Sequence, residues 1–211
     1  MLLTICALAT STGINAQQTS KVYLLRGLAD VSTGLDDLAA KLRRRGISAQ
    51  VGSYTVASEF AERAIRDYKA NHAPIVIIGH SLGADASLAM AERLRQARVP
   101  VALIVTFSAA KSIDVPSNVG RVVNYFQSNS VWNISYRAAP GSRTSVRNVD
   151  LARDASIHHF NIEKVERLHT TTVTTILGLA GVGPATQKPK SAKSVAEPAG
   201  DTGPGTGVAA E

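Results

Sequence analysis

Between residues 20 and 180 short apolar runs alternate with longer amphipathic stretches, and the alternation sets the fold class. Ile75 to Ile78 is an unbroken β-branched run, the pattern of a strand buried on both faces. Ala84 to Arg98 follows at helical spacing: Ala84, Leu88, Ala91 and Leu94 lie on one side, and Glu92, Arg93, Arg95 and Gln96 on the other. Asp85 near its start suits the positive end of the helix dipole. Upstream, Lys21 to Arg26 predicts a buried strand, and a helix opened by Ser32-Thr33-Gly34 runs through Arg45 to a Gly46 C-cap. A strand from Ile47 to Gly52 leads to a helix from Glu59 to Ala70 with Ser58 as its N-cap.

Downstream, Val99-Pro100 breaks the helix, and Val101 to Phe107 is the most hydrophobic strand of the chain. Ser108 to Asn118 predicts a loop, Arg121 to Phe126 a strand, and Gln127 to Arg143 an irregular segment long enough to wall a pocket. Ser145 to Val149 predicts an edge strand, Leu151 to Phe160 a loop, and Asn161 to Leu179 a closing helix. Strands alternating with helices of 10 to 15 residues predict an α/β domain with a mostly parallel sheet of about six strands and helices on both faces. The expected domain spans 20–182. The tail 183–211, rich in Gly, Pro, Ala, Lys and Ser, buries almost nothing and predicts disorder.

Gly79-His80-Ser81-Leu82-Gly83 joins the strand at 75 to the helix that follows, the context required of a G-x-S-x-G nucleophile elbow. Chance alone yields that pattern in roughly one chain in fifteen of this length, so the flanking strand and helix carry the specificity. Side chains two residues before and after the serine would collide with the crossing backbone, and glycines at 79 and 83 remove them. The Leu82 N–H, in the first helical turn, then points where an oxyanion would form. The alternative is a glycine-rich turn of a nucleotide-binding type of unit, without chemistry.

Gly-His-Ser-Leu-Gly-Ala resembles the elbow of lipases and esterases, and over residues 20 to 180 the chain resembles the α/β-hydrolase superfamily, nearest to small capless cutinase-, lipase- and thioesterase-type members. The resemblance implies a Ser–acid–His triad on a parallel sheet, with no cap domain and neither metal nor organic cofactor. It also implies a second oxyanion N–H from the loop after the first strand, at Leu28. Its histidine follows the last strand, where His158 and His159 stand; His159-Phe160-Asn161-Ile162 matches the pattern of small members and makes His159 the preferred base over His158. His72 precedes the serine, His169 lies inside the closing helix, and His80 reads as a structural hydrogen-bonding residue. The acid is the open question. Gln127-Ser128-Asn129-Ser130 and Phe107-Ser108-Ala109, the two places such an acid follows a strand, contain no carboxylate. Asp114 is the first choice and Asp150 the second, with Asp154 or the Asn129 amide as further orienters.

The reading is therefore a serine hydrolase of carboxylic esters or thioesters acting through a Ser81 acyl-enzyme, with a small-molecule acyl substrate. Its rival is a non-catalytic binding domain that has kept the elbow and lost its acid. Among 211 residues Cys6 is the single cysteine, which excludes an intrachain disulfide and a cysteine-based metal site, and the histidines show no metal-ligand spacing. The formal charge of +7 comes mainly from scattered Lys and Arg, with one run at Lys41-Leu42-Arg43-Arg44-Arg45. Without aromatic platforms this predicts weak contact with anionic surfaces rather than nucleic-acid binding, and a monomer. Residues 1–19 form a separate apolar segment resembling the core of a signal peptide cleaved after Ala16, which predicts a periplasmic or secreted protein. The missing basic residue ahead of it and the large Ile14 depart from that pattern and keep a cytoplasmic location as the alternative.

Overall fold

A computed structural model describes residues 19–179. The expectations for the N-terminal segment, Cys6 included, and for the C-terminal tail fall outside the described residues. Six strands form one fully parallel sheet: β1 (Lys21–Arg26), β2 (Ser48–Ser53), β3 (Ile75–His80), β4 (Leu103–Phe107), β5 (Arg121–Phe126) and β6 (Ser145–Asp150), in the spatial order β2-β1-β3-β4-β5-β6. α1 (Gly34–Arg44) and α4 (Glu166–Leu179) cover one face, and α2 (Ala57–Asn71) and α3 (Leu82–Gln96) the other. The chain steps outward from β1 to β2, returns past β1 to β3, and then continues to β6. The winding reverses between β1 and β3, and in open parallel sheets sites form beyond the carboxyl ends of the strands at such a reversal.

The central strands are apolar throughout because both faces are covered. Every residue of β3 and β4 is buried, whereas the edge strand β6 has only half-buried and exposed positions. Leu35, Leu38 and Leu42 press from α1 onto Val22, Leu24, Val76 and Ile78. From the other side Ala84, Leu88, Ala91 and Leu94 of α3 meet Ile75, Ile77 and Ile104.

The last two crossovers contain no helix covering the sheet, and a row of polar side chains performs that task. Thr106, Asn124 and Asn148 are directly opposed on β4, β5 and β6. The Thr106 hydroxyl donates to Asn124 Oδ1 at 2.9 Å, and Asn124 Nδ2 donates to Asn148 Oδ1 at 3.0 Å and to the Ile134 carbonyl at 2.8 Å. Asn148 in turn exchanges bonds with Tyr136 N–H and C=O at 2.9 and 3.0 Å. The irregular segment after β5 is thereby held against the sheet, and Tyr136 and Ile134 fill the volume a crossover helix would occupy.

Several element ends differ from the sequence expectation. α2 begins before Ser58, because Ser53 accepts the Thr55 N–H and starts a 3₁₀ turn at Tyr54–Val56 that runs straight into the helix. α3 begins at Leu82, directly after the elbow. α4 begins only at Glu166, since Asn161 is used in a turn, accepting the His158 N–H at 2.7 Å and donating to the Ser156 carbonyl at 2.9 Å.

α3 crosses the sheet at a distance that admits no side chain at two points. A Cβ on Gly83 would lie 2.0 Å from the Leu25 carbonyl oxygen, and one on Gly79 would lie 2.1 Å from the Gly83 carbonyl oxygen. Gly83→Ala is expected to cost more than about 3 kcal/mol in chemical denaturation, or to prevent recovery of folded protein. Gly178→Ala, where a Cβ meets nothing within 4 Å inside α4, should raise stability by up to about 1 kcal/mol. Comparable tolerance of both substitutions would refute the close crossing.

Candidate active site

Ser81 follows the last residue of β3 and precedes the first of α3, with φ 56° and ψ −125°. This conformation is costly for a residue with a Cβ and persists only where the surroundings impose it. Here they do. The Ser81 N–H donates to the Phe107 carbonyl at 3.1 Å, the Ala84 N–H bonds back to the Ser81 carbonyl at 2.9 Å, and the two glycines let the helix leave at once. Ser81 stands at the carboxyl end of the sheet, its crest, at the β1/β3 reversal and is largely buried. A Cβ placed on Gly27, the first residue after β1, would lie 3.0 Å from that of Ser81. Leu28 thus opens the loop beside Ser81, and Leu82, the first residue of α3, has an N–H without an intrahelical acceptor.

His159 belongs to the loop after β6 and is 7% exposed, while its neighbour His158 is exposed. The His159 imidazole lies against Trp132, stacked at 4.3 Å between ring centroids and 20° between planes. Phe160 meets its edge at 4.9 Å, and the His80 ring is 5.0 Å away. His159 Nδ1 is 2.7 Å from Ser108 Oγ. Ser108 directly follows β4, as Ser81 directly follows β3, and it too has a positive φ, 48°. Its N–H donates to the Tyr125 carbonyl at 2.8 Å. The carboxylate of Asp85, in the first turn of α3, accepts the N–H groups of Ala110 and Lys111 at 3.2 and 3.1 Å and so fixes the loop that begins at Ser108. Burial holds the His159 imidazole below its ordinary pKa, and the charge of His158 adds to the effect.

The acids named from sequence lie elsewhere. Asp114 is exposed and makes no hydrogen bond to His159. Asp150 caps a turn, accepting the Ser128 and Ala152 N–H groups at 3.0 and 2.9 Å; the Ser128 side chain first, and then these N–H groups, hold its carboxyl below the usual range. Asn129 donates to the Ala152 carbonyl, and Asp154 binds Ser156 and Arg167. The residue that does meet the imidazole, Ser108, stands at one of the two strand ends where a triad acid is expected, and only its not being a carboxylate hid it. A serine in a loop has many commoner uses, and its proximity to residue 159 is set by the tertiary fold.

His80 is a connector. Its Nε2–H donates to the His159 carbonyl at 2.8 Å, since a carbonyl can only accept; Nδ1 therefore accepts from the Ser32 hydroxyl at 2.7 Å. Ser32 Oγ accepts the Gly27 N–H at 2.9 Å. One chain of bonds thus ties the loop carrying Leu28 to the elbow and to the loop carrying His159. Behind it Glu163 is buried, with Oε2 3.9 Å from His80 Nε2 and Oε1 3.8 Å from Lys164 Nζ; burial raises its carboxyl pKa. The His80 ring is 2% exposed, and its desolvation lowers its pKa to about 4.

The exposed large apolar side chains collect around this crest. Leu28 and Val31 follow β1, Ile113 follows β4, Val131 follows β5 and Phe160 follows β6, all at the carboxyl end of the sheet. A cleft of about 290 Å³ between α4 and β4–β6 and one of about 490 Å³ beside Asp154, Ile157 and Lys164 are not lined by Ser81. No group of three or more metal-ligating side chains is assembled among the described residues.

Residues 40–132, somewhat under half of the chain, match a family model described as Serine hydrolase. No curated protein matches. Among solved structures the chain is similar to a YdeN-like hydrolase from Pectobacterium atrosepticum, with 13% identity and a TM-score of 0.44, covering 77% of this chain and 93% of that one. It is also similar to a structure from LipS and LipT, two metagenome-derived lipolytic enzymes, with 11% identity and a TM-score of 0.44 over 76% and 95% of the two chains. A third is YbtT, a type II thioesterase from the yersiniabactin NRPS/PKS biosynthetic pathway, with 10% identity and a TM-score of 0.42 over 79% and 95%.

A neutral His80 makes stability depend on pH. In the folded state its pKa is near 4, against about 6.5 unfolded, so the unfolded chain takes up the proton first as pH falls. The stability of the neutral ring is present above about pH 6.5 and is lost on the way to pH 4, on the order of 3 kcal/mol. Burial displaces His159 and His169 in the same direction. Glu163, with its raised carboxyl pKa, acts oppositely and costs stability as pH rises through its titration. His80→Gln keeps Glu163 and isolates the ring. Its Tm should be lower than wild type at pH 7, with a shallower fall from pH 7 to 4.5. Equal slopes would show that His80 is not neutral in the fold.

Proposed function

We propose that this α/β-hydrolase-like protein hydrolyses carboxylic esters or thioesters through an acyl-enzyme on Ser81, with His159 as general base and then acid. The observation that carries this reading is the crest itself: a serine in a strained, glycine-enabled elbow at the sheet reversal, with a partly desolvated imidazole held over the adjacent strand end. Ser81 Oγ attacks the acyl carbon while its proton passes to His159 Nε2. The tetrahedral oxyanion takes the N–H groups of Leu28 and Leu82 as its donors. His159 returns the proton to the departing alcohol or thiol as the acyl–oxygen or acyl–sulfur bond breaks. Water then attacks the acyl-enzyme with His159 again taking the proton, the carboxylic acid leaves, and Ser81 Oγ is reprotonated. The apolar rim of Leu28, Val131 and Phe160 favours an apolar acyl group, reached from open solvent.

One observation favours the rival reading of a binding domain: His159 Nδ1 faces a hydroxyl, not a carboxylate. A fluorophosphonate probe separates the two. Labelling of the wild type that disappears in Ser81→Ala, together with turnover of a p-nitrophenyl ester or an acyl-CoA, is the expected result. A wild type that resists labelling from pH 6 to 9 would leave the binding domain. Because the His159 pKa is lowered, the acid limb of kcat/KM should lie below pH 6.5, and a limb above 7 would contradict the geometry around this ring.

A further inference from the structure

We propose that Ser108 is the positioning residue for His159, its hydroxyl performing at the end of β4 the tautomer-fixing task that a carboxylate performs in a Ser–acid–His triad. The inference rests on the hydrolase reading above, but its central observation does not depend on turnover. His159 has one hydrogen-bonding partner at Nδ1, and that partner is Ser108 Oγ at 2.7 Å. For Nε2 to take a proton from Ser81 its lone pair must be free, so Nδ1 must carry the ring's hydrogen. A hydroxyl can donate to Nδ1, as that of Ser32 does to His80, or accept from it; in the proposed arrangement Ser108 accepts, so that Nδ1 carries the hydrogen and Nε2 is free.

The hydroxyl is placed as firmly as the nucleophile. Phe107 and His80 are opposed in the sheet, so Ser108 and Ser81 leave adjacent strands at the same level. The bond from Ser81 N–H to the Phe107 carbonyl fixes one to the peptide preceding the other. The Ser108 N–H on Tyr125 and the Asp85 carboxylate on the next two peptides but one leave its side chain little freedom. The ring is equally constrained, by Trp132 on its face and by His80 on its own carbonyl. Among the described residues no carboxylate competes: Asp150, Asp154 and Glu163 are engaged or buried elsewhere, and Asp114 is exposed to solvent.

A hydroxyl differs from a carboxylate in one respect that can be measured. It orients the ring but adds no charge to stabilise the imidazolium, so the base is weaker and the transition state less favoured. The chemistry is slower at its maximum and extends to lower pH.

Two variants test this. Ser108→Gly removes the hydroxyl and suits the positive φ, and Ser108→Asp supplies a charge. ¹⁵N NMR of the full-length protein labelled at histidine reads the tautomer and titration of His159 directly. The wild type should show hydrogen at Nδ1, Ser108→Gly a mixture shifted toward Nε2–H, and Ser108→Asp a titration displaced upward by about one pH unit. With p-nitrophenyl acetate, Ser108→Gly should lower kcat roughly tenfold with KM within about twofold, and Ser108→Asp should recover kcat with its acid limb moved to higher pH. An unchanged tautomer and kcat in Ser108→Gly would overturn the proposal, as would a loss that only tracks the folded fraction seen by circular dichroism. A wild type with the expected tautomer that neither turns over ester nor takes the fluorophosphonate would instead overturn the hydrolase reading and leave the role of Ser108 toward the ring standing.

Discussion

The contact on which the rest depends is the crossing of α3 over β1 and β3. At Gly83 the helix backbone reaches the Leu25 carbonyl so closely that a methyl group would overlap it, and Gly79 stands in the same relation to Gly83. With the helix so near, the peptide between strand and helix must turn within one residue, and that residue is Ser81. Its positive φ is a consequence of the crossing and not a property of serine. The same crossing brings Leu82 to the head of the helix and Gly27 beside Ser81, so that the residues proposed as nucleophile and oxyanion donors come from one packing decision.

Most of this was legible because it is local. A β-branched run, two glycines at fixed offsets from a serine, and an amphipathic stretch specify a strand, an elbow and a helix without long-range information, and the parallel sheet follows from their alternation. The position of His159 was legible by its resemblance to a pattern, His-Phe-Asn-Ile, which the turn at Asn161 gives a physical basis. What was not legible depends on distant segments meeting. Ser108 and His159 are separated by 51 residues, His80 and Ser32 by 48, and although position 108 follows a strand where an acid is expected, a serine there does not announce its partner. Asp114 attracted attention as a carboxylate in the right loop, but chain order does not place a side chain, and its loop turns it outward.

The second half of the sheet shows another way to close a parallel fold. Where α3 covers β3 and β4 with alanine and leucine, the strands from β4 to β6 are bridged by Thr106, Asn124 and Asn148, whose amides bind the backbone of the segment containing Ile134 and Tyr136. Buried amides of this kind are tolerable only when their donors and acceptors are matched, and here the matching doubles as an anchor for a segment with no regular structure of its own. Trp132 is four residues from that anchor at Tyr136. The aromatic platform under the His159 ring thus belongs to the segment that the polar row anchors.

The chain of bonds from Gly27 through Ser32 and His80 to the His159 carbonyl consists of neutral groups in a region closed to water. Dissolved ions screen charges and leave short dipolar bonds untouched, the more so when those bonds are buried. The cationic surface of the protein should therefore respond to ionic strength, altering how it meets charged neighbours. The spacing between the loop after β1, the elbow and the loop after β6 should not. An arrangement that aligns its loops through uncharged hydrogen bonds is insulated from its electrolyte as well as from its solvent.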